Sequence, residues 1–105
     1  MEITEARKLD QAMRKHPQTR AWLTAWRNSC EAATWTNILD VRRDFPSADG
    51  VPIGSGQSKM VVTVFNVRGN EYRLLTTIDY LRQQVSIVGV LTHAEYSKEH
   101  WKNRL

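Results

Sequence analysis

The spacing of apolar residues changes between residues 46 and 58, and this change constrains the fold more than any other feature. Before it, Ile3, Ala6, Leu9 and Met13 recur three or four residues apart, as they would on one face of a helix. After it, β-branched residues gather in short segments that are typical of strands. Helices followed by strands, rather than alternating with them, predict an α+β fold.

Proline and capping residues divide the first half of the chain into three predicted helices. Pro17 ends the first helix and suits the first position of the second. Trp22 and Trp26 lie four residues apart in the second helix, and we expect them to pack into the core rather than to stack on RNA. Asn37 is a suitable N-cap for a third, short helix that continues to Phe45.

Three predicted strands with short connections make up most of the second half. They span residues 60–67, 72–80 and 84–91. Consecutive strands joined by short turns predict a three-stranded antiparallel β-meander. The preceding segment 46–58 is rich in proline, glycine and serine and is predicted to be a surface loop. A C-terminal helix from residue 93 to about residue 103 is predicted to close the chain.

The size and composition of the chain fit a single α+β domain, residues 1–105, with the N-terminal helices packed on the meander. The one cysteine, Cys30, allows neither an internal disulfide nor a cysteine-rich zinc site. No apolar run is long enough to span a membrane, and the N-terminus lacks the pattern of a signal peptide. We therefore expect a cytoplasmic protein without a membrane partner.

The chain carries a net charge of +4, and most of the excess lies in the second half. Residues 58–105 hold seven Lys and Arg residues against four Asp and Glu residues. A basic protein suits an anionic partner, and nucleic acid is the commonest such partner. A protein-interaction domain whose basic surface serves an acidic partner is the alternative.

Residues 91–96 combine a helix start with groups capable of chemistry. Thr92 and Glu95 have the spacing of a capping box, which would satisfy backbone N–H groups at the first turn. His93 then lies in that first turn, where it is a candidate acid or base near neutral pH. Tyr96 follows one turn later. A histidine that only hydrogen-bonds to the edge of the sheet is the structural alternative.

Arg73 is the second candidate, because an arginine within an apolar strand must reach solvent, pair with an acid or bind an anion. Arg68 at the predicted hairpin turn and Lys98 on the last helix add positive charge, although each also fits an exposed surface residue. The sequence contains neither a P-loop nor a GxGxxG motif. Its three histidines lack the spacing of metal ligands, so no metal site is predicted.

Several motifs in sequence order resemble the HigB toxin family, the RelE-like mRNA interferases of type II toxin–antitoxin pairs. They are FPSAD at 45–49, FNVRGNEYRL at 65–74, IDY at 78–80 and THAEY at 92–96. Together with the tryptophan-containing N-terminal helices and Trp35, the likeness covers nearly the whole chain. The resemblance implies a RelE-like α+β fold and a toxin that cleaves mRNA, typically on the translating ribosome.

The resemblance also implies partners and roles for individual residues. The partners are a cognate antitoxin with a helix-turn-helix domain, mRNA and the ribosome, and neither a cofactor nor a metal is implied. Attack of a ribose 2′-OH on the adjacent phosphate needs a base, positive charge and an acid. His93 would be the base or the acid, Arg73 would stabilise the phosphate, and Tyr96 would orient or stack a base. The residues assigned to RNA contacts are Arg68, Lys98 and Asn70.

Three positions depart from the residues usual in the family. Val88 stands where an arginine on the last strand is common, Arg68 where glycine is common, and Ser97 where aspartate is common. Val88 removes one expected cation at the phosphate, and the hypothesis is that Arg68 compensates from the neighbouring hairpin. The alternative is a catalytically weakened or inactive module that binds RNA or the ribosome and still binds its antitoxin.

Overall fold

A five-stranded mixed sheet forms the centre of the computed structural model, which describes residues 1–54 and 60–104. The strands are β1 (Glu2–Thr4), β2 (Asp49–Ile53), β3 (Met60–Val67), β4 (Tyr72–Asp79) and β5 (Gln84–Thr92). Their order in the sheet is β1-β5-β4-β3-β2. β1 runs parallel to β5, and the other neighbouring pairs are antiparallel. The predicted α+β class and the meander of β3, β4 and β5 are confirmed.

The predicted number of strands is wrong, because the sheet has an additional strand at each edge. β2 lies within the predicted loop 46–58. Its Pro52 pairs with Val61, and an edge strand tolerates proline because one side of its backbone needs no partner. β1 has only three residues and is too short to show an alternating pattern. Residues 55–58 of the predicted loop lie outside the described part of the chain.

Helices cover one face of the sheet. They are α1 (Arg7–Lys15), a 3-10 turn (Pro17–Thr19), α2 (Arg20–Ala32) and α3 (Ile38–Asp44). α1 begins later than the apolar spacing indicates. Ile3 pairs in β1, and Glu5 has a positive φ of 59°, which a helix does not allow. Asn37 caps α3 as predicted and accepts a hydrogen bond from the Asp40 N–H at 3.1 Å. None of the described helices has the length and apolar character needed to cross a membrane.

An aromatic cluster fills the space between these helices and the sheet. Phe65 of β3 lies at its centre, with its ring centroid 5.4 Å from Trp26, 6.3 Å from Trp35 and 5.4 Å from Phe45. Trp26 is fully buried, which confirms its predicted core position. Trp22 lies half-buried at the rim of the cluster. The sheet is therefore joined to α2 and α3 mainly through contacts between large rings.

The first residue of the chain fastens β1 to the end of α2. The Met1 ammonium nitrogen donates hydrogen bonds of 3.0, 3.3 and 2.7 Å to the carbonyl oxygens of Cys30, Glu31 and Ala33. Positive charge at the C-terminal end of a helix is favourable, because the last carbonyl groups lack partners within the helix. Cys30 is buried beside this contact, and burial raises the pKa of its thiol to about 12. The thiol therefore stays protonated and packs as a small apolar group.

The C-terminal segment covers the opposite face of the sheet. α4 (His93–Ser97) is shorter than the predicted helix of residues 93–103, and a 3-10 helix (His100–Arg104) follows it. Glu99 separates the two with a φ of 60°. Trp101 then packs against buried aliphatic side chains of β2, β3 and β4. β3 and β4 are consequently buried on both faces.

Candidate active site

The register of β4 and β5 brings Arg73 and His93 to one end and one face of the sheet. Arg73 pairs with Leu91, and directly paired residues of antiparallel strands point to the same face. His93 follows Leu91 by two residues, where β5 ends and α4 begins. The His93 backbone N–H donates to the Glu71 carbonyl at 2.9 Å, which holds the start of α4 against the β3–β4 turn.

Arg73 is 9% exposed, and uncharged groups hold its guanidinium. Nη1 donates to the carbonyl oxygens of Asn70 at 3.2 Å and Tyr72 at 3.1 Å. Nη2 donates to Asn70 Oδ1 at 3.4 Å and to His93 Nδ1 at 3.3 Å. Within the described ranges, Arg73 forms no ion pair with a carboxylate. Because a buried cation without a counter-ion is costly, this environment favours the binding of an anion.

His93 is exposed, and its two ring nitrogens have different surroundings. A guanidinium has only donors, so the His93 Nδ1 that faces Arg73 must accept the hydrogen bond. The ring proton is then on Nε2, which lies 3.5 Å from Ser97 Oγ. The hydrogen bond from Arg73 occupies the Nδ1 lone pair, so His93 can act as a base when a bound phosphate draws the guanidinium away from it.

Tyr96 connects Arg73 to the C-terminal segment through a stack of side chains. The Arg73 guanidinium carbon lies 5.5 Å from the centroid of the Tyr96 ring. Trp101 stacks on Tyr96 with the ring centroids 5.3 Å apart and an interplanar angle of 15°. Lys102 Nζ lies 5.8 Å from the centroid of the Trp101 ring. A cation this close to an aromatic ring is attracted to it, which helps to hold the guanidinium in place.

The Tyr96 hydroxyl is protonated at neutral pH. Burial raises the pKa of this phenol above its ordinary value, and the negative charge of Asp49 acts in the same direction. The charges of Arg73 and Lys102 act in the opposite direction without cancelling the rise. The hydroxyl can therefore donate a hydrogen bond but does not serve as a base.

The capping box predicted for Thr92 and Glu95 is confirmed. The Glu95 N–H donates to Thr92 Oγ1 at 3.1 Å, and the Thr92 N–H donates to Glu95 Oε1 at 2.9 Å. This bond from the Thr92 backbone, with further help from the charges of Lys15 and His16, holds the pKa of the Glu95 carboxyl below its usual range. Thr92 and Glu95 therefore shape the start of α4, and His93 is the group there that can act on a ligand.

The predicted RNA-contacting residues lie at different distances from this cluster. Asn70 belongs to it, because its backbone and side-chain oxygens both accept hydrogen bonds from Arg73. Arg68 lies on the same β3–β4 turn, and its Nη1 is 3.5 Å from Glu71 Oε2. Lys98 is exposed at the C-terminal end of α4. No hydrogen bond between described residues joins Arg68 or Lys98 to Arg73 or to His93.

Sequence reasoning does not place Trp101 or Ser97 in the site. In a continuous helix Trp101 would face away from Tyr96, because five residues rotate it by roughly 140°. The break at Glu99 is what brings the two rings together, and no pattern in the sequence marks that break. The four-residue spacing of His93 and Ser97 is a usable signal, since residues four apart on a helix are neighbours.

Val88, which replaces an expected arginine, has an apolar role in this structure. It lies on β5 and packs against the cluster that contains Trp101 and Leu75. Arg73 is the cation that contacts His93. The positive charge at this site therefore comes from β4 rather than from the last strand.

The arrangement can bind a phosphate and accept a proton next to it. Arg73 has a forked set of donors that matches phosphate oxygens, and a phosphate would take over donors that Asn70 and His93 now share. The Nδ1 of His93 lies 3.3 Å from that guanidinium and becomes free to accept a proton when the phosphate replaces it as the partner of Arg73. Such a pair can stabilise charge on a phosphodiester while it removes a proton from a neighbouring hydroxyl group. In the described part of the chain, no three His, Cys, Asp or Glu side chains converge as metal ligands would.

Comparisons with known proteins agree on one family. A family model described as HigB_toxin, RelE-like toxic component of a toxin-antitoxin system, matches residues 19–99. The mRNA interferase toxin HigB of Escherichia coli (strain K12) is 29% identical over 96 residues, which cover 91% of this chain and 88% of that protein. Proteins named mRNA interferase HigB from Escherichia coli O157:H7 and Shigella flexneri match with the same identity and coverage.

Proposed function

Since this chain belongs to the HigB toxin family, the RelE-like toxic components of toxin–antitoxin systems, we propose that it is an endoribonuclease that cleaves mRNA on the translating ribosome. The contact of 3.3 Å between the Arg73 guanidinium and His93 Nδ1 carries the proposal. It places a buried cation beside a proton acceptor at the protein surface. The relatives described above are named mRNA interferases, which supports RNA as the substrate.

In the proposed reaction, Arg73 turns its Nη2 donor from His93 to the scissile phosphate, and the freed Nδ1 of His93 accepts the proton of the adjacent ribose 2′-OH. The 2′ oxygen bonds to phosphorus while the bond from phosphorus to the 5′ oxygen breaks. The products carry a 2′,3′-cyclic phosphate and a 5′-hydroxyl whose proton comes from water. The charge of Arg73 stabilises the additional negative charge on the phosphate oxygens in the transition state.

Tyr96 acts in this proposal as a positioning residue for Arg73 rather than as a platform for a base. Trp101 and the Arg73 guanidinium both lie against the Tyr96 ring, so this ring is already in contact with groups of the protein. Asn70 orients the edge of the same guanidinium. Arg68, on the turn that carries Asn70, is placed to contact a neighbouring phosphate, and Lys98 adds charge farther away.

The proposed partners are mRNA, the ribosome and a cognate antitoxin with a helix-turn-helix domain. Membership of a family of toxin–antitoxin components supports the antitoxin. The ribosome and the helix-turn-helix type rest on the resemblance of the sequence motifs. An activity on translated mRNA would place the protein in the cytoplasm.

Mapping of cleaved transcripts by primer extension tests the proposed function. Expression of the wild-type chain in bacteria should arrest growth and introduce breaks into translated mRNA. A transcript whose start codon has been removed should stay intact, because no ribosome then translates it. His93→Ala should abolish the breaks, because no proton acceptor then faces Arg73. His100→Ala removes an exposed histidine that is not in contact with Arg73 and should behave as the wild type does.

Two results of this experiment would contradict the proposal. Growth arrest with intact transcripts would refute cleavage and favour the inactive module that binds RNA or the ribosome. Equal cleavage of the translated and untranslated transcripts would refute the dependence on the ribosome while keeping the nuclease.

Two substitutions at Tyr96 test whether its ring or its hydroxyl is needed. Tyr96→Phe keeps the ring and should retain kcat within about threefold. Tyr96→Ala removes a cation–π contact of about 0.5–2 kcal/mol and should lower kcat by roughly tenfold. Both rates are measured on one RNA with proteins of verified fold. An equal loss in the two variants would assign the hydroxyl a direct role as a proton donor.

A further inference from the structure

Positive charge is concentrated around the first helix. The net charge of the whole first half does not show this, because acidic residues elsewhere in that half offset it. Residues 7–20 contain five Lys and Arg residues and one acidic residue, a net charge of +4 that equals the charge of the whole chain. Arg7 is paired with Glu5 at 2.7 Å. Lys8 and Lys15 form no ion pair between described residues. They lie on one face of α1, two turns or about 10 Å apart.

A groove separates this face of α1 from β5. Lys8, Gln11, Lys15 and His16 line it on the helical side, and residues 88–90 line it on the strand side. Gly89, on the strand side, has no side chain that could fill it. The groove therefore has room for a ligand, and most of the side chains on its helical side are polar.

The edge of β5 along the groove has no neighbouring strand in the described ranges. β1 pairs only with Gln84, Val85 and Ser86 of β5. The outward backbone groups of residues 88–90 therefore have no strand partner on that side. Backbone N–H groups at such an edge can bind anions together with nearby lysines.

The groove leads to the end of the sheet that carries His93. His93 lies three residues beyond Val90, about 10 Å at the rise of a strand. On the helical side, the ring centroids of His16 and Tyr72 lie 4.8 Å apart. Tyr72 in turn pairs with Thr92, the residue before His93. A nucleic acid strand with one phosphate at Arg73 would therefore pass the free edge of β5 near His93 and place a further phosphate of the same strand in the groove.

We propose that the α1–β5 groove binds backbone phosphates of the substrate RNA strand beside the cleaved phosphate, through Lys8 and Lys15. This inference rests on the proposed function, since it concerns the path of the same RNA. An acidic peptide that added a strand to β5 would use the same edge. RNA fits better, because strand addition also relies on pockets for alternate side chains, whereas the lysines follow the groove toward His93.

Fluorescence anisotropy with a 2′-O-methyl RNA oligonucleotide tests the groove, because this RNA binds but lacks the attacking hydroxyl. The double variant Lys8→Gln/Lys15→Gln should bind it at least tenfold more weakly than the wild type. The slope of log affinity against log salt concentration should also be smaller in magnitude by about 1.4 for this variant. This difference corresponds to two lost phosphate contacts on a single strand.

The matched control is Arg27→Gln/Arg43→Gln, which removes two cations from α2 and α3 and causes the same change in net charge. It should bind the oligonucleotide within about twofold of the wild type, since these residues lie outside the groove. Equal affinities and salt slopes for the wild type and the lysine variant would overturn the inference, as would an equal loss in the control. Loss of binding to an acidic peptide with unchanged RNA binding would assign the groove to a protein partner instead. Failure of the proposed function would show separately, as a wild-type protein that cleaves no RNA.

Discussion

Arg73→Ala should lower the rate of RNA cleavage by roughly 10²–10³-fold, the usual cost of removing one donor that stabilises charge in a transition state. Arg73 is the cation in contact with His93, and Val88 occupies the position from which a second arginine was expected. This large loss of cleavage rate should not be accompanied by a large loss of folding stability. Removing the buried cation relieves an unfavourable burial but also removes four hydrogen bonds and a contact with the Tyr96 ring, so we expect only a small net change in Tm.

A single-turnover cleavage assay and a thermal unfolding curve for each variant provide the two measurements. Arg73→Lys should recover little activity, because an ammonium group cannot stack on Tyr96 or reproduce the four hydrogen bonds of the guanidinium. Arg82→Ala, at the exposed turn between β4 and β5, is the control and should cleave as the wild type does. A folded Arg73→Ala protein that keeps more than about a tenth of the wild-type rate would remove Arg73 from the mechanism.

Phe65→Ala should reduce the free energy of unfolding by about 3–5 kcal/mol. The side chain is 1% exposed and contacts the rings of Trp26, Trp35 and Phe45, so its removal leaves a cavity at the junction of the helices and the sheet. A domain of this size has a total stability of about 5–15 kcal/mol. The loss is therefore a large share of the whole, and the variant should be partly unfolded at growth temperature.

Urea denaturation followed by tryptophan fluorescence measures this change, provided that the m-value stays constant. Val61→Ala is the control, because Val61 lies on the same strand and is 56% exposed, and it should change the stability by less than about 0.5 kcal/mol. Phe65→Leu keeps most of the volume and should remain folded with a smaller loss. A loss below about 1.5 kcal/mol for Phe65→Ala would mean that the surrounding rings collapse into the cavity.

The central strands and the helix caps could be predicted from the sequence because their signals are local. The alternation of Tyr72, Leu74 and Ile78 with Arg73 and Leu75 places the first three toward the helices and Leu75 toward the C-terminal segment, as the structure does. The edge strands could not be predicted in the same way. β1 is held by pairing with residues more than eighty positions away, and β2 contains a glycine and a proline that favour loops in isolation.

The candidate site could be predicted as a set of residues but not as an arrangement. A buried-strand arginine and a helix-start histidine stand out for reasons of charge and capping, and the register of β4 and β5 brings these two together. The stack of Tyr96 and Trp101 depends on a break at Glu99 that has no sequence signal. The basic groove beside α1 could not be predicted from the net charge of the first half, because acidic residues elsewhere in that half cancel its positive charge.

The parallel pairing of β1 with β5 has a consequence for the order of events during synthesis. Residues 2–4 are made about eighty residues before their partners, residues 84–86, so β1 cannot pair in the sheet until β5 has been made. Arg73 is in place before His93, and the ring of Trp101 is added later still. Under the proposed function, a ribosome that is making this protein is therefore exposed to an incomplete nuclease until Trp101 has been added. The length of the nascent chain itself delays the toxicity.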